Sequence, residues 1–163
     1  MSIELLTACI KKLIKIHQLF NELAEEKTEC VTKGDIAHLK TLMQKETVQL
    51  KQLQRVEQER VRLVQFFMES KGLVTEVGTL AEILPHVSDG EKEELVSLQE
   101  QIVQQIQTLK QKNQLNQQLI EDSLRFVNLS LDVLQPELET GNYQRPDQGD
   151  DEPLGRSLFD SKA

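Results

Sequence analysis

The chain contains no tryptophan, one tyrosine and five phenylalanines among its 163 residues, so aromatic rings cannot dominate any core. Seven glycines and four prolines gather at a handful of points and leave long stretches without a breaker. The Val/Ile-rich runs between glycine turns that a parallel sheet would need are missing. No apolar run is long enough to span a bilayer. The apolar stretch near the start is interrupted by Lys11, Lys12 and Lys15, unlike the core of a signal peptide. There are only two cysteines, and Cys9 and Cys30 fall on one predicted helix, roughly 31 Å apart at 1.5 Å per residue. A disulfide needs Cα atoms within about 7 Å. The pair therefore reads as two free thiols, as expected in a reducing compartment.

A basic excess is missing too. Net charge is −8, and residues 73–163 carry 7 Lys/Arg against 17 Asp/Glu, whereas residues 1–72 carry 12 against 10. Such a chain lacks the counterion release that drives nucleic-acid binding, and an anionic membrane surface would repel it. Neither nucleic acid nor membrane insertion is expected.

What remains is rich in Leu, Gln, Glu and Lys, all good helix formers. The pattern predicts an all-α fold: an elongated antiparallel three-long-helix bundle, coiled-coil-like, with a short connector helix and a disordered acidic C-terminal tail. In the first helix, about 2–32, Leu6, Ile10, Leu13, His17, Phe20, Ala24, Lys27 and Val31 alternate steps of four and three. Gly34 stops it and Asp35 caps the second, about 35–70. That helix carries the seam Ile36, Leu39, Met43, Glu46, Leu50, Leu53, Glu57, Arg60, Val64 and Phe67. Lys71-Gly72 ends it, and a connector helix is expected over 75–84. Ser88 or Asp89 caps the third long helix, about 89–134, which stops before Pro136. Its seam runs through Leu95, Leu98, Ile102, Ile106, Leu109, Asn113, Asn116, Ile120, Leu124, Val127, Leu131 and Leu134. The bundle thus covers 1–135. Residues 136–163, with three Pro, three Gly and seven Asp/Glu, read as a flexible acidic tail.

Residues 115–134 carry more apolar surface than a bundle helix needs. Ile120, Leu124, Val127, Leu131 and Leu134 continue the seam, while Leu115, Leu119, Phe126, Leu129 and Val133 make a second apolar face about 140° away. The third helix also outlasts the first, so in an up-down-up arrangement its end should project beyond the turn at Gly34. Five large side chains left bare would be an association site. A foreign partner, the connector helix or a second copy of the chain would each cover them. Asn113 and Asn116 interrupt the seam, where a polar residue can set register at some cost in stability. Monomer and weak homodimer both stay open.

Chemistry-bearing constellations are absent from the pattern. Asp35-x-x-His38 is a single motif where a di-iron bundle needs two Glu-x-x-His pairs, and its Asp is a cap. Cys9 and His17 are two turns apart, roughly 12 Å along the axis and out of hydrogen-bond reach. Glu93 and Glu94 sit in a first helical turn, where they favour the dipole. Nine Gln between Gln99 and Gln118 read as a solvated face. No enzyme activity, metal or cofactor is expected.

Several stretches resemble the FlgN family of flagellar type III export chaperones. They are Val56-Glu57-Gln58-Glu59-Arg60, and Asn113-Gln114-Leu115-Asn116-Gln117-Gln118-Leu119-Ile120 followed by Leu124 and Phe126. Asn142-Tyr143 with Gly149, and the ending Leu158-Phe159-Asp160-Ser161-Lys162-Ala163, are similar as well. The resemblance covers essentially the whole chain. It implies a cytoplasmic, non-enzymatic chaperone that holds the hook-associated proteins FlgK and FlgL unassembled and delivers them to the export gate. It further implies that a C-terminal helix of the cargo lies against the chaperone's C-terminal helical region. That agrees with Leu115, Leu119, Phe126, Leu129 and Val133 as partner-binding residues, and makes Tyr143 a candidate for cargo or gate contact. The alternative is a structural coiled-coil adaptor that homodimerises through the third helix.

Overall fold

The computed structural model describes residues 3–75 and 77–134. Among these every regular element is a helix: α1 (Ile3–Lys33), α2 (Ile36–Ser70), α3 (Leu80–Ile83), a 3-10 turn (Leu84–His86) and α4 (Asp89–Leu134). The all-α class read from composition and periodicity is what the chain adopts. Tyr143 and the tail 136–163 lie outside the described residues. The chain divides into two compact units, Met1–Val127 and Asn128–Ala163; the first holds the core.

The long helices end where the backbone demands it. Gly34 and Gly72 adopt φ of 71° and 73°, which a side chain resists and glycine does not. Each closes its helix the same way. At the first, the Asp35 N–H donates to the Cys30 carbonyl and the Gly34 N–H to that of Val31. At the second, Leu73 donates to Met68 and Gly72 to Glu69. This six-to-one and five-to-two pairing satisfies carbonyls the helix end would otherwise orphan. Asp35 then caps α2, its carboxylate accepting from the His38 N–H at 3.0 Å.

The connector differs from expectation. Its helix begins at Leu80 rather than Thr75, because Gly78 takes a φ of 67° and breaks any right-handed helix across it. Side chains organise that stretch instead. The Gly78 N–H donates to the Thr75 hydroxyl at 2.8 Å, Thr75 bonds Glu82, and the Thr79 N–H donates to Glu82 at 3.2 Å.

A box at Ser88 starts α4. The Ser88 N–H donates to the Glu91 carboxylate at 2.9 Å and the Ser88 hydroxyl at 2.6 Å, while Lys92 donates back to the Ser88 carbonyl. The hydroxyl, then the backbone N–H, hold the Glu91 carboxyl below its usual range. A depressed folded-state pKa adds stability above the unfolded value, and that stability is lost as pH falls through the folded value. Glu91→Gln is therefore expected to lower the urea midpoint at pH 6, and the gap from the parent chain to close as pH falls below the ordinary glutamate range and through the lowered folded-state value.

Inside the first unit α1 is the shared partner. Near its start Ile3, Leu6, Ile10 and Ile14 pack with Val64 and Met68 of α2, Ile83 of α3, and Leu95 and Leu98 of α4. Farther along, Cys9, Leu13, Ile16 and Phe20 pack with Val56, and at the hairpin tip Leu23 and Cys30 pack with Leu42. Cys9 and Cys30 are buried free thiols, and burial pushes both thiols up.

The α1–α4 contact turns polar as it leaves the apolar end. Lys11 pairs with Glu94 at 2.8 Å, and the Asn21 amide donates to the Gln105 carbonyl at 3.0 Å. Lys112 pairs with Glu25 at 2.6 Å. Buried Asn116 donates to the Ala24 carbonyl at 2.8 Å and accepts from the Thr28 hydroxyl at 2.6 Å. These pairs advance together along both chains, so α1 and α4 run parallel and α2 antiparallel to them. Asn116→Ala strips the Thr28 hydroxyl of one partner and is expected to destabilise the fold by about 1–3 kcal/mol, measured by urea unfolding.

Candidate partner-binding surface

Two features set the surface chemistry of the first unit: a helix that outlasts its partners, and a groove that no helix fills. The first follows from register. Thr28 meets Asn116 across an offset of 88 residues, and carrying that offset to Gly34 reaches Asp122. Past that level neither α1 nor α2 has helix left to offer α4. Exposure rises accordingly: Leu124 is 60%, Phe126 70% and Val127 51% exposed.

The residues singled out from sequence are distributed as follows. In the first unit Leu115 and Phe126 are exposed and Leu119 is half-buried. In the second unit the described residues Asn128–Leu134 expose Leu129 and Val133. Asn116 is buried between α1 and α4, as a seam residue would be, whereas Asn113 is exposed. Tyr143 lies outside the described residues.

The groove opens between α2 and α4 with α1 as its floor, a space of about 760 Å³. Phe20 and the Lys27–Glu46 pair, 2.6 Å apart, form the floor. Met43, Leu50 and Leu53 line the α2 wall, and Leu109, Asn113, Asn116 and Ile120 the α4 wall. Leu115, Leu119 and Phe126 do not line it. A second space of about 400 Å³ continues it toward Leu80, with His17 and Leu53 common to both. The His17 ring lies 2.8 Å from the Leu13 carbonyl through Nδ1; a carbonyl only accepts, so Nδ1 carries the proton and donates.

Sequence periodicity had assigned Met43 and Leu50 to the α2 seam, yet they are 55% and 49% exposed, and Ile36 is 71% exposed. Val64 of that seam is buried against α1 and Leu39 and Leu53 pack toward it, but Leu42, Val56 and Met68 also meet α1 and the seam omitted them. Leu42 and Met43 are neighbours about 100° apart on the helix, so the rotational setting of α2 about its own axis decides which stripe is core. The signal for a groove was present as two competing apolar stripes on α2. Asn21 was also missed. Its burial follows from its facing Gln105, a pairing that periodicity does not reveal.

The Val56–Arg60 stretch has a structural task. Val56 is buried, Glu57 and Arg60 pair at 2.6 Å, and Arg60 donates to the Gly78 carbonyl at 2.9 Å, fastening the connector to α2. Among the described residues no helix is long and apolar enough to cross a membrane. Nor does any group of three or more His, Cys, Asp or Glu stand ready for a metal ion.

The model of a known protein family, described as FlgN protein, matches residues 1–149. The chain belongs to the FlgN family. FlgN proteins are flagellar export chaperones, and that general role in flagellar assembly comes with membership. The uncharacterized protein YvyG of Bacillus subtilis strain 168 is 30% identical over 164 residues, covering 100% of both chains. No solved structure matches the chain. In FlgN terms, the Asn113–Ile120 run that resembles the family places Asn116 in the core and Asn113 and Ile120 on the groove wall.

Proposed function

We propose that the protein is a cytoplasmic, non-enzymatic chaperone of the hook-associated proteins FlgK and FlgL. It shields their C-terminal helices from premature assembly and passes them to the flagellar export gate. The observation that carries this reading is the exposure of apolar side chains late in α4, where Leu124, Phe126 and Val127 are more than half exposed beyond the level of the α1–α2 turn. Burying one large apolar side chain is worth about 1.5–3 kcal/mol, so a helix laid over several of them gains enough to be held specifically. Leu115, Leu119 and Phe126 supply the contact in the first unit, Leu129 and Val133 extend the proposed set, and Tyr143 is assigned to cargo or gate contact.

The test is co-purification of the full chain with FlgK and FlgL, each alone, followed by sedimentation. A one-to-one complex with either protein is the expected result. Failure to retain either, together with a tight dimer of the chain alone, would replace the reading with that of a homodimeric coiled-coil adaptor.

A further inference from the structure

The groove between α2 and α4 has walls, a floor and a charge pattern that together specify an occupant. Its two parts share His17 and Leu53 and run along α4 from Ile102 to Ile120. That is about 27 Å, or five helical turns, so it holds a helix of about 18 residues. Both walls carry apolar residues, Met43, Leu50 and Leu53 on α2 and Ile106, Leu109 and Ile120 on α4, the latter interspersed with the uncharged Asn113 and Asn116.

Charges inside the groove neutralise one another on the α2 side, where Glu46 is paired with Lys27 and Glu57 with Arg60. The α4 lining is neutral except for Glu121. The outer flank of α2 is different. Lys40, Lys51 and Arg62 recur every 11 residues, three helical turns, and so fall on one line along the helix. Lys40 is three residues from Met43 and Lys51 four from Thr47, both of which line the groove, and that places the line just outside its α2 wall. All three are exposed, and none makes an ion pair among the described residues. In a chain of net charge −8 this is a local cationic rail beside an apolar trough.

We propose that the groove receives an amphipathic helix of a partner protein, about 18 residues long, whose flank toward α2 is acidic. The occupant completes a fourth helix position: its apolar stripe fills the trough, and its Asp or Glu side chains meet Lys40, Lys51 and Arg62. The flank toward α4 is uncharged, which orients the helix about its own axis. This rests on the partner-binding reading above and adds a second place on the surface and the chemistry of the segment bound there.

The experiment titrates the full chain into three stapled 18-residue helical peptides followed by fluorescence anisotropy. All three carry the same leucine stripe and differ only in one flank, which is Glu, Gln or Lys. The Glu peptide is expected to bind about tenfold tighter than the Lys peptide, with Gln between, since three exposed pairs add modestly. The difference should disappear near 1 M salt. Met43→Asp with Leu50→Asp, both exposed positions, should lose all three peptides with helicity intact, and Lys40→Glu with Lys51→Glu and Arg62→Glu should reverse the order. Equal affinity for the three peptides, binding to none, or binding unchanged in the Met43/Leu50 variant would each overturn the proposal. Capture of FlgK or FlgL by the Met43/Leu50 variant at parent affinity would also overturn it while leaving the chaperone reading in place. Failure of the parent chain to hold either protein would remove the chaperone reading whatever the peptides do.

Discussion

Replacing Leu115 and Phe126 together by aspartate is expected to weaken capture of FlgK or FlgL by about 100-fold or more, with far-UV helicity unchanged. Both side chains are exposed, at 48% and 70%, so the substitution leaves no cavity. Leu119, on the same face, is half-buried and is the poorer choice, because a carboxylate there would also disturb packing. Each lost apolar contact removes about 1.5–3 kcal/mol of burial, and the two carboxylates must be desolvated when the partner helix docks. Even the lower figure for two residues corresponds to roughly two decades in affinity. Isothermal titration of both chains against the same hook-associated protein measures it. Unchanged affinity in the folded double variant would exclude this face of α4 from the contact.

Leu95→Ala is expected to destabilise the fold by about 2–5 kcal/mol, the largest effect of any single truncation considered. Leu95 has no exposed surface and sits in the cluster that joins α1, α2, α3 and α4, so the space it leaves is walled by four elements. That cluster is also where the α1–α4 contact is apolar; beyond Asn21 it is carried by polar pairs, which contribute less net energy. Losing Leu95 therefore loosens the attachment of α4 as a whole. Phe66→Ala, at a position 51% exposed, removes a larger side chain and should change the urea midpoint far less. If the two variants unfold at the same denaturant concentration, the apolar end is not what anchors α4.

The two predictions separate surface from core, and the sequence marks that boundary unevenly. On α1 periodicity finds one stripe of two: Leu6, Ile10, Leu13, Phe20 and Ala24 were read as the seam and are buried, but Cys9, Ile14, Ile16, Leu23 and Cys30 are buried beside them. A helix packed by neighbours on two sides buries more than the one stripe that a single seam describes. On α4 the lower seam, Leu95 and Leu98, is buried as read, whereas Ile106, Ile120, Leu124 and Val127 keep a third or more of their surface. The seam continues there, but the neighbour on one side does not.

The sequence by itself determined the three long helices, their ends and the presence of excess apolar surface, because these follow from local backbone preference and from counting one helix's own faces. Gly34, Gly72 and Ser88 act within a few residues of themselves, so no distant contact is needed to read them. Which stripe of α2 meets α1 was settled only in the folded chain. Met43 and Leu50 offer nearly as good a core face as Leu42 and Val56, and the choice depends on how far α2 turns and how far α4 stands from it. Those are relations between helices, held by Asn21, Lys112 and Asn116 across a polar contact, and no single helix's pattern contains them.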